Sequence, residues 1–220
     1  MNDSIWFIKY DILNENQKIY LDWFHKQHIP EKLSRKGYNW AAHFKEFDEK
    51  IYNKKNTTKK KNFIALFGAS NSKVFLDPSP SQLKKTQDNK TKFMVKFRYD
   101  SLSSIIVHEW SSKSFNKIDI DECDEINVFY IKNETIDNEL IGSWIIQKFA
   151  KILTNNSDFL NFHKFFSVSG PYPHIIIQTF KKCSAKNNDN NFIIKTIRNF
   201  EDQSERNVKI LCKKFIKIWP

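Results

Sequence analysis

The order of the apolar segments is the feature that most constrains the fold of this 220-residue chain, because the same succession of elements occurs twice along it. In the first half, runs of aromatic and β-branched residues predict strands at 5–12, 38–47, 63–68 and 103–110, and helical periodicity predicts helices at 15–28 and 79–87. In the second half, the same criteria predict strands at 126–132, 159–167, 174–181 and 207–219 and helices at 138–153 and 191–200. Each half therefore has the predicted order β-α-β-β-α-β.

Two local signals set helix ends in the first half. Pro30 is expected to end the first helix, because the residue before a proline avoids the helical region. Ser79 is expected to cap the second helix, since Pro80 follows at the first helical position and Gln82 at the third.

One such unit leaves a face of its sheet uncovered. Two units cover those faces by packing sheet against sheet, which predicts an α+β fold in which two ferredoxin-like repeats form a pseudo-dimeric α+β barrel. The predicted boundaries are 1–112 for the first repeat, 113–125 for an acidic linker and 126–220 for the second repeat. We expect the barrel interior, lined by alternate strand residues, to hold a small ligand.

Composition excludes several classes of protein. Hydrophobic residues make up 40% of the chain, with 20 Phe and 6 Trp, which is enough for a packed core. No apolar run approaches the ~18 residues of a membrane span, residues 1–10 do not resemble a signal peptide, and three Cys without CxxC spacing argue against a disulfide framework or a zinc site. We therefore expect a cytoplasmic protein with no membrane partner, and its abundant Lys, Asn, Ile and Phe are typical of an AT-rich bacterial genome.

The net charge of +11 arises from 36 Lys and Arg against 25 Asp and Glu. Six of the lysines fall between residues 50 and 61, a segment with almost no apolar residues that we expect to be an exposed loop. Other lysines are scattered through amphipathic patterns. We therefore attribute the charge to solvated surface rather than to a nucleic-acid site.

The most informative stretch is WFHKQHIPEKL at residues 23–33, followed by Gly37 and Tyr38. It resembles the W-[YF]-x-x-x-H-[ILV]-P-E-[RK]-L…G-[FY] pattern of dimeric α+β-barrel proteins similar to the EthD family. Residues 63–67 resemble the third strand of that group, and residues 75–79 resemble its turn into a short helix. The resemblance covers roughly residues 5–110.

The resemblance implies a small organic ligand bound in the barrel. The superfamily includes cofactor-free monooxygenases, isomerases, polyketide cyclases, haem-binding enzymes and members with no known activity. It leaves open whether this chain is an acid/base enzyme of isomerase, cyclase, decarboxylase or monooxygenase type, or a non-catalytic ligand-binding or assembly protein. In both cases we expect no cofactor and no metal, in a monomer or homodimer.

His28 is the first candidate catalytic residue. On a helical projection it borders the apolar stripe of Tyr20 and Phe24, whereas His25 points towards solvent. A helix C-terminus raises the pKa of an imidazole and burial lowers it, so His28 could titrate near neutral pH and act as acid or base. The alternative is structural: its ring bonds a carbonyl near Pro30 and fixes the turn into the next strand.

His43 is the second candidate catalytic residue. Alternation places Asn39, Ala41 and His43 on one face of the second strand and the bulky apolar residues on the other. We expect the bulky face to meet the helices, leaving His43 and Asn39 towards the cavity, where small Ala41 leaves room for a ligand. The alternative places His43 beyond the barrel rim. The candidate substrate-binding residues are Tyr10, Trp23, Tyr38 and Asn39.

The second half departs from the motif. If Trp144 corresponds to Trp23, then Phe149 corresponds to His28, and no proline follows it. We therefore expect one working cavity, in the first half.

An RNA-binding module is a further alternative, because β-α-β-β-α-β also describes the RRM and the predicted sheet is rich in aromatic residues. The third strand lacks the [RK]-G-[FY]-[GA]-[FV]-x-[FY] pattern of that fold. This difference favours a small-molecule ligand over a nucleic-acid partner.

Overall fold

The structure is a computed structural model that describes residues 4–47, 60–112, 120, 123–133, 137–153, 159–181, 195, 197–201 and 208–220. Its strands are β1 (Ser4–Leu13), β2 (Tyr38–Glu46), β3 (Lys60–Ala69), β4 (Tyr99–Ser111), β5 (Glu125–Asn133), β6 (Phe159–Ser169), β7 (His174–Phe180) and β8 (Val208–Trp219). Its helices are α1 (Gln17–Trp23), α2 (Ile29–Leu33), α3 (Lys73–Leu76), α4 (Pro80–Lys85), α5 (Asn89–Val95), α6 (Asn138–Trp144) and α7 (Ala150–Leu153). The strands form a closed barrel in the order β1-β3-β2-β8-β5-β7-β6-β4, which confirms the predicted α+β barrel.

The chain divides into two compact units. Met1–Val107 with Lys217–Pro220 form unit 1, and His108–Ile216 form unit 2. In unit 1, β1 pairs antiparallel with β3 and β4, and β3 pairs with β2. In unit 2, β5 pairs antiparallel with β7 and β8, and β7 pairs with β6.

The first helix continues past Pro30, so the prediction that Pro30 ends it is wrong. α1 runs into a π turn at Phe24–His28 and then into α2. A proline inside an α-helix removes a backbone hydrogen bond, but the π turn starts a new hydrogen-bonding register, and Pro30 lies in the first turn of α2.

The predicted faces of β2 are also wrong. The register between β2 and β3 shifts after Tyr38, which pairs with Ala69, because Asn39 is an extra residue before the Trp40 pair. This bulge places Ala41 in the core cluster on the helix side of the sheet, and His43 follows it on the same face. The small side chain of Ala41 therefore accommodates helix side chains rather than a ligand.

The next helices begin with capping residues. Ser79 caps α4 as predicted, since its hydroxyl accepts from the Gln82 amide at 3.3 Å and the Gln82 side chain accepts from the Ser79 amide at 2.8 Å. α4 is shorter than predicted, and a separate helix, α5, begins after Asp88, whose carboxylate accepts from the Thr91 amide at 2.8 Å. The predicted lysine loop at 50–61, linker at 113–125 and helix at 191–200 lie largely outside the described residues.

Candidate functional site

Three polar side chains of unit 1 form a continuous hydrogen-bonded chain. The Tyr10 hydroxyl lies 2.7 Å from Nε2 of His43, and Nδ1 of His43 lies 2.7 Å from Nε2 of His25. Tyr10 and His43 are fully buried, whereas His25 is partly exposed. Because a neutral imidazole donates through one ring nitrogen and accepts at the other, this chain can move a proton between the surface and the interior of the unit.

The strand register brings the buried members together. β3 lies between β1 and β2, with Phe63 opposite Tyr10 and Ala65 opposite His43. The short side chain of Ala65 leaves space on the helix side of β3, which the long Tyr10 side chain crosses to reach His43. His25, which lies in the π turn, is the third member of the hydrogen-bonded chain. Turns of this kind occur often at functional sites.

Aromatic rings enclose the inner part of the chain. The rings of Phe24 and Phe63 lie 4.9 Å and 5.5 Å from the His43 ring, measured between centroids. The Arg98 guanidinium lies 4.5 Å from the centre of the Tyr10 ring, and its Nε donates to the Tyr20 hydroxyl at 2.6 Å. The Arg98 cation and the Tyr20 hydroxyl thus lie beside Tyr10, which is the buried end of the hydrogen-bonded chain.

The electrostatic environment keeps the three hydrogen-bonded side chains, Tyr10, His43 and His25, neutral near pH 7. Burial lowers the pKa of His43 well below its ordinary value, and repulsion from His25, when that ring is protonated, and from Arg98 lowers it further. Burial also lowers the pKa of His25, against the opposing effect of Asp22. Burial raises the pKa of Tyr10 well above its ordinary value. His25 therefore presents a neutral imidazole, which is a proton acceptor.

His25 lines a pocket of about 920 Å³ in unit 1. Its ring stacks against Trp219, with centroids 6.2 Å apart. A volume of this size suits a small organic molecule, for which roughly 300–1,000 Å³ is usual. The pocket lies beside α1, on the helix side of the sheet, and not on the opposite face where the sequence placed the ligand. The other lining residues are Glu15, Lys18, Ile19, Leu21, Asp22, Lys26, Lys45 and Ile218.

His28 lies apart from the hydrogen-bonded chain. Its ring stacks on Trp23 and Phe24, with centroids 4.6 Å and 5.5 Å away. Burial lowers the pKa of His28 to about 2, with further lowering by Arg98, Lys32 and Arg35. Glu31 lies 3.7 Å from Nδ1, but its carboxylate also contacts Arg35 at 2.8 Å. Nδ1 makes no hydrogen bond within the described residues, so His28 is a neutral, packed ring near pH 7.

The remaining predicted site residues are dispersed. Trp23 is buried beneath the ring of His28. Tyr38 packs against Phe75, with centroids 5.2 Å apart, at the opposite end of β2 from Lys45. Asn39 is exposed at the bulge. Of the predicted set, the structure therefore brings only Tyr10 and His43 into the hydrogen-bonded chain, whereas His28 and Trp23 stack on each other apart from it.

Sequence reasoning missed three members of the site: His25, Tyr20 and Arg98. The projection that pointed His25 to solvent assumed α-helical geometry, whereas the π turn widens the helix at this residue. Tyr20 and Arg98 are 78 positions apart, and only the fold brings them together. The presence of three histidines at positions 25, 28 and 43 was the available signal for a polar cluster.

Unit 2 repeats the helix geometry of unit 1. A constant shift of 121 positions carries Ser4 to Glu125, the first residues of β1 and β5, and carries the π turn at Phe24–His28 to one at Ile145–Phe149. The Phe149 ring stacks on Trp144 with centroids 4.9 Å apart, as His28 stacks on Trp23.

At the positions related by the same shift, unit 2 lacks the hydrogen-bonded Tyr10–His43–His25 chain of unit 1. The positions of Tyr10, Tyr20 and His25 are taken in unit 2 by Ile131, Ile141 and Ile146, and the position of His43 is taken by Lys164. Unit 2 therefore keeps the π turn and the stacked tryptophan but lacks the tyrosines and histidines found at these positions in unit 1.

Across the residues that the structure describes, no group of three or more His, Cys, Asp or Glu is arranged to hold a metal ion. No helix among them is both long enough and apolar enough to cross a bilayer.

Comparison with known proteins supports the fold. No protein-family model and no curated protein matches the sequence. Among solved structures, a candidate monooxygenase from Fusobacterium nucleatum subsp. nucleatum is 10% identical, with 98% of this chain and 92% of that chain covered and a TM-score of 0.57. A candidate chlorite dismutase is 11% identical (99% and 95% covered, TM-score 0.58), and an anthrone oxidase-like protein is 8% identical (99% and 91% covered, TM-score 0.54).

These neighbours belong to the dimeric α+β-barrel superfamily. At such identities the likeness concerns the fold alone, and it agrees with the closed eight-stranded barrel. The chain therefore has the fold of the dimeric α+β-barrel superfamily.

Proposed function

We propose that this chain binds a small organic molecule in the pocket beside His25 and removes a proton from it. The observation that carries the proposal is the hydrogen-bonded chain from His25 through His43 to Tyr10, because it connects a pocket-lining imidazole to two buried groups. The fold supports it, since one neighbour is a candidate monooxygenase and another resembles an anthrone oxidase. We propose that the protein acts in the cytoplasm as an acid/base enzyme that needs no cofactor.

We further propose that the chain is an EthD-like tandem repeat with one working site. The motif at residues 23–33 supports the EthD-like assignment, and the constant shift between the two π turns supports a duplication. The loss of Tyr10 and His25 from the corresponding positions of unit 2 supports a single site in unit 1.

The proposed step is a proton transfer. A C–H or O–H bond of the ligand breaks, its electron pair stays on the ligand, and the proton bonds to Nδ1 of His25. The Nε2 proton of His25 then moves along its hydrogen bond towards His43, which spreads the positive charge into the protein. Return of the proton to another ligand atom completes an isomerisation or cyclisation without any other reactant.

In this proposal the remaining predicted residues have other roles. His28 and Trp23 stabilise the π turn by stacking, and Tyr38 contributes to the core beside Phe75. Only Tyr10 and His43 of the original set take part in the proton transfer.

Deuterium exchange tests the proposal directly. Phenylacetone is a suitable probe, because its benzylic protons lie beside a carbonyl and its body fits an apolar pocket. In D₂O, we expect the wild-type protein to accelerate benzylic exchange above the rate in buffer, as followed by proton NMR. His25→Ala should lower this acceleration by about 100-fold or more, a typical contribution of one general base.

His28→Phe is the matched control, because it alters a histidine of the same π turn that makes no contact with the chain. It should exchange at the wild-type rate. Equal exchange by wild type and His25→Ala would contradict the proposal. Binding of phenylacetone at His25 without any exchange would show a non-catalytic ligand-binding protein.

A further inference from the structure

The charges around the pocket do not cancel. Among the residues that the structure describes, its lining carries three lysines and two carboxylates, which leaves one net positive charge while His25 is neutral. One lysine is already paired, since Lys26 Nζ lies 2.5 Å from the Asp22 carboxylate one helical turn away. The two other lysines, Lys18 and Lys45, make no ion pair with any residue that the structure describes.

Among the lysines that line the pocket, Lys45 is the one that shares a strand with His43. It lies on β2 two residues after His43, on the same face of the strand. Its ammonium lies 6.0 Å from the centre of the Phe63 ring, and the same ring stacks on His43. Its hydrogen bond to the Gln17 side-chain oxygen, at 3.3 Å, is with a neutral acceptor.

The environment of Lys45 disfavours an isolated positive charge. Lys45 is partly buried, and burial together with the nearby Lys61 lowers the pKa of its ammonium. A partly buried cation without a carboxylate partner gains most from an anion that enters from the pocket. An anionic ligand therefore gains affinity that a neutral ligand of the same shape does not.

The rest of the lining is apolar. Ile19 is 55% exposed, and Leu21 and Ile218 are also part of the lining. Exposed aliphatic groups beside a pocket are covered favourably by an apolar ligand.

We propose that the ligand is an apolar organic monoanion, an aryl or alkyl carboxylate, whose anionic group binds Lys45 and whose body covers Ile19 and Ile218. This inference rests on the proposed function and specifies the substrate class of the same site. The single net positive charge of the lining matches one carboxylate rather than a phosphate ester or a diacid. With the carboxylate at Lys45, the acidic C–H of the ligand lies beside His25.

A matched pair of carbon acids tests this inference. Phenylpyruvate and phenylacetone share an aryl-CH₂-carbonyl body, and they differ in that a carboxylate replaces a methyl group. We expect the wild-type protein to bind phenylpyruvate about tenfold more tightly than phenylacetone, as measured by NMR titration at low ionic strength. Lys45→Met should remove this preference by weakening phenylpyruvate alone. Added salt should reduce the preference, because it screens the charge.

Lys36→Met is the control for loss of one positive charge. Lys36 is exposed in the turn before β2 and does not line the pocket, so its replacement should leave both affinities unchanged. Equal binding of the two compounds, or equal weakening by Lys45→Met, would overturn the inference while leaving the proposed function intact. Failure of both compounds to bind near His25 would overturn the proposed function as well.

Discussion

Replacement of His28 by phenylalanine should make the protein less sensitive to acid. His28 is buried, its ring stacks on Trp23, and burial lowers its pKa to about 2. Unit 2 already contains the substituted arrangement, with Phe149 stacked on Trp144 at the end of an equivalent π turn. The substitution should therefore keep the packing and remove only the titratable group.

The magnitude follows from the difference in pKa between the folded and unfolded chains. An unfolded histidine has a pKa near 6.5, whereas folded His28 has a pKa of about 2. Above pH 6.5 the ring is neutral in both states, so it contributes no pH dependence. As the pH falls below 6.5, the unfolded chain binds a proton that the folded chain excludes, and stability is lost by about 1.4 kcal/mol per pH unit. At pH 4.5 this loss amounts to about 2.7 kcal/mol.

Urea unfolding followed by tryptophan fluorescence measures this effect. The free energy of unfolding should fall less for His28→Phe than for the wild type between pH 8 and pH 4.5, by about 2.7 kcal/mol. Phe149→His is the reciprocal variant, and it should add acid sensitivity to unit 2. An identical pH dependence of wild type and His28→Phe would refute the reasoning. It would mean that folded His28 binds a proton, with the Glu31 carboxylate as its partner at 3.7 Å.

Two further substitutions test the packing and the helix caps. Gly68→Ala should destabilise the protein by about 2 kcal/mol or more in urea unfolding, because the added Cβ would lie 2.0 Å from the Trp40 indole. Gly142→Ala is its control: the nearest atom would be 3.6 Å away, and an alanine inside a helix should stabilise by about 0.5–1 kcal/mol. Ser79→Ala should cost about 1 kcal/mol, since it removes the side-chain acceptor of the capping box; an unchanged midpoint of thermal unfolding would show that the cap contributes nothing.

The sequence was sufficient to predict the eight strands and the fold. Strand and helix periodicity depend on which positions are apolar. This pattern placed β1, β7 and the helical segment from the start of α6 to the end of α7 within a residue of their observed bounds. The capping signal at Ser79 was equally local and was confirmed. Local chemistry of this kind does not depend on the rest of the fold.

The site could not be predicted in the same way, because it depends on two one-residue irregularities. The bulge at Asn39 turns His43 to the helix side of the sheet, and the π turn at residues 24–28 rotates His25 towards it. Each irregularity reverses an assignment of faces that regular geometry implies. The sequence shows that histidines and tyrosines are present in these elements. The side of the helix or sheet to which each side chain points depends on irregular backbone hydrogen bonds, and local residue propensities do not predict those.

The comparison of the two units separates what the fold requires from what it does not. Ile131, Ile141 and Ile146 occupy the positions of Tyr10, Tyr20 and His25, and the π turn of unit 2 still forms with Phe149 stacked on Trp144. The polar chain is thus not needed to build the turn.

Burial of a tyrosine and a histidine is costly unless their hydrogen bonds are made, and the net gain from each bond is only about 0.5–1.5 kcal/mol. Aliphatic side chains at the same depth stabilise a core by hydrophobic burial without that cost. Unit 1 therefore gains little stability from Tyr10 and His43 that isoleucine would not supply. In the proposed function, these residues add a path for a proton that ends at His25 in the wall of a pocket. This difference in chemistry is why we propose a single working site, in unit 1.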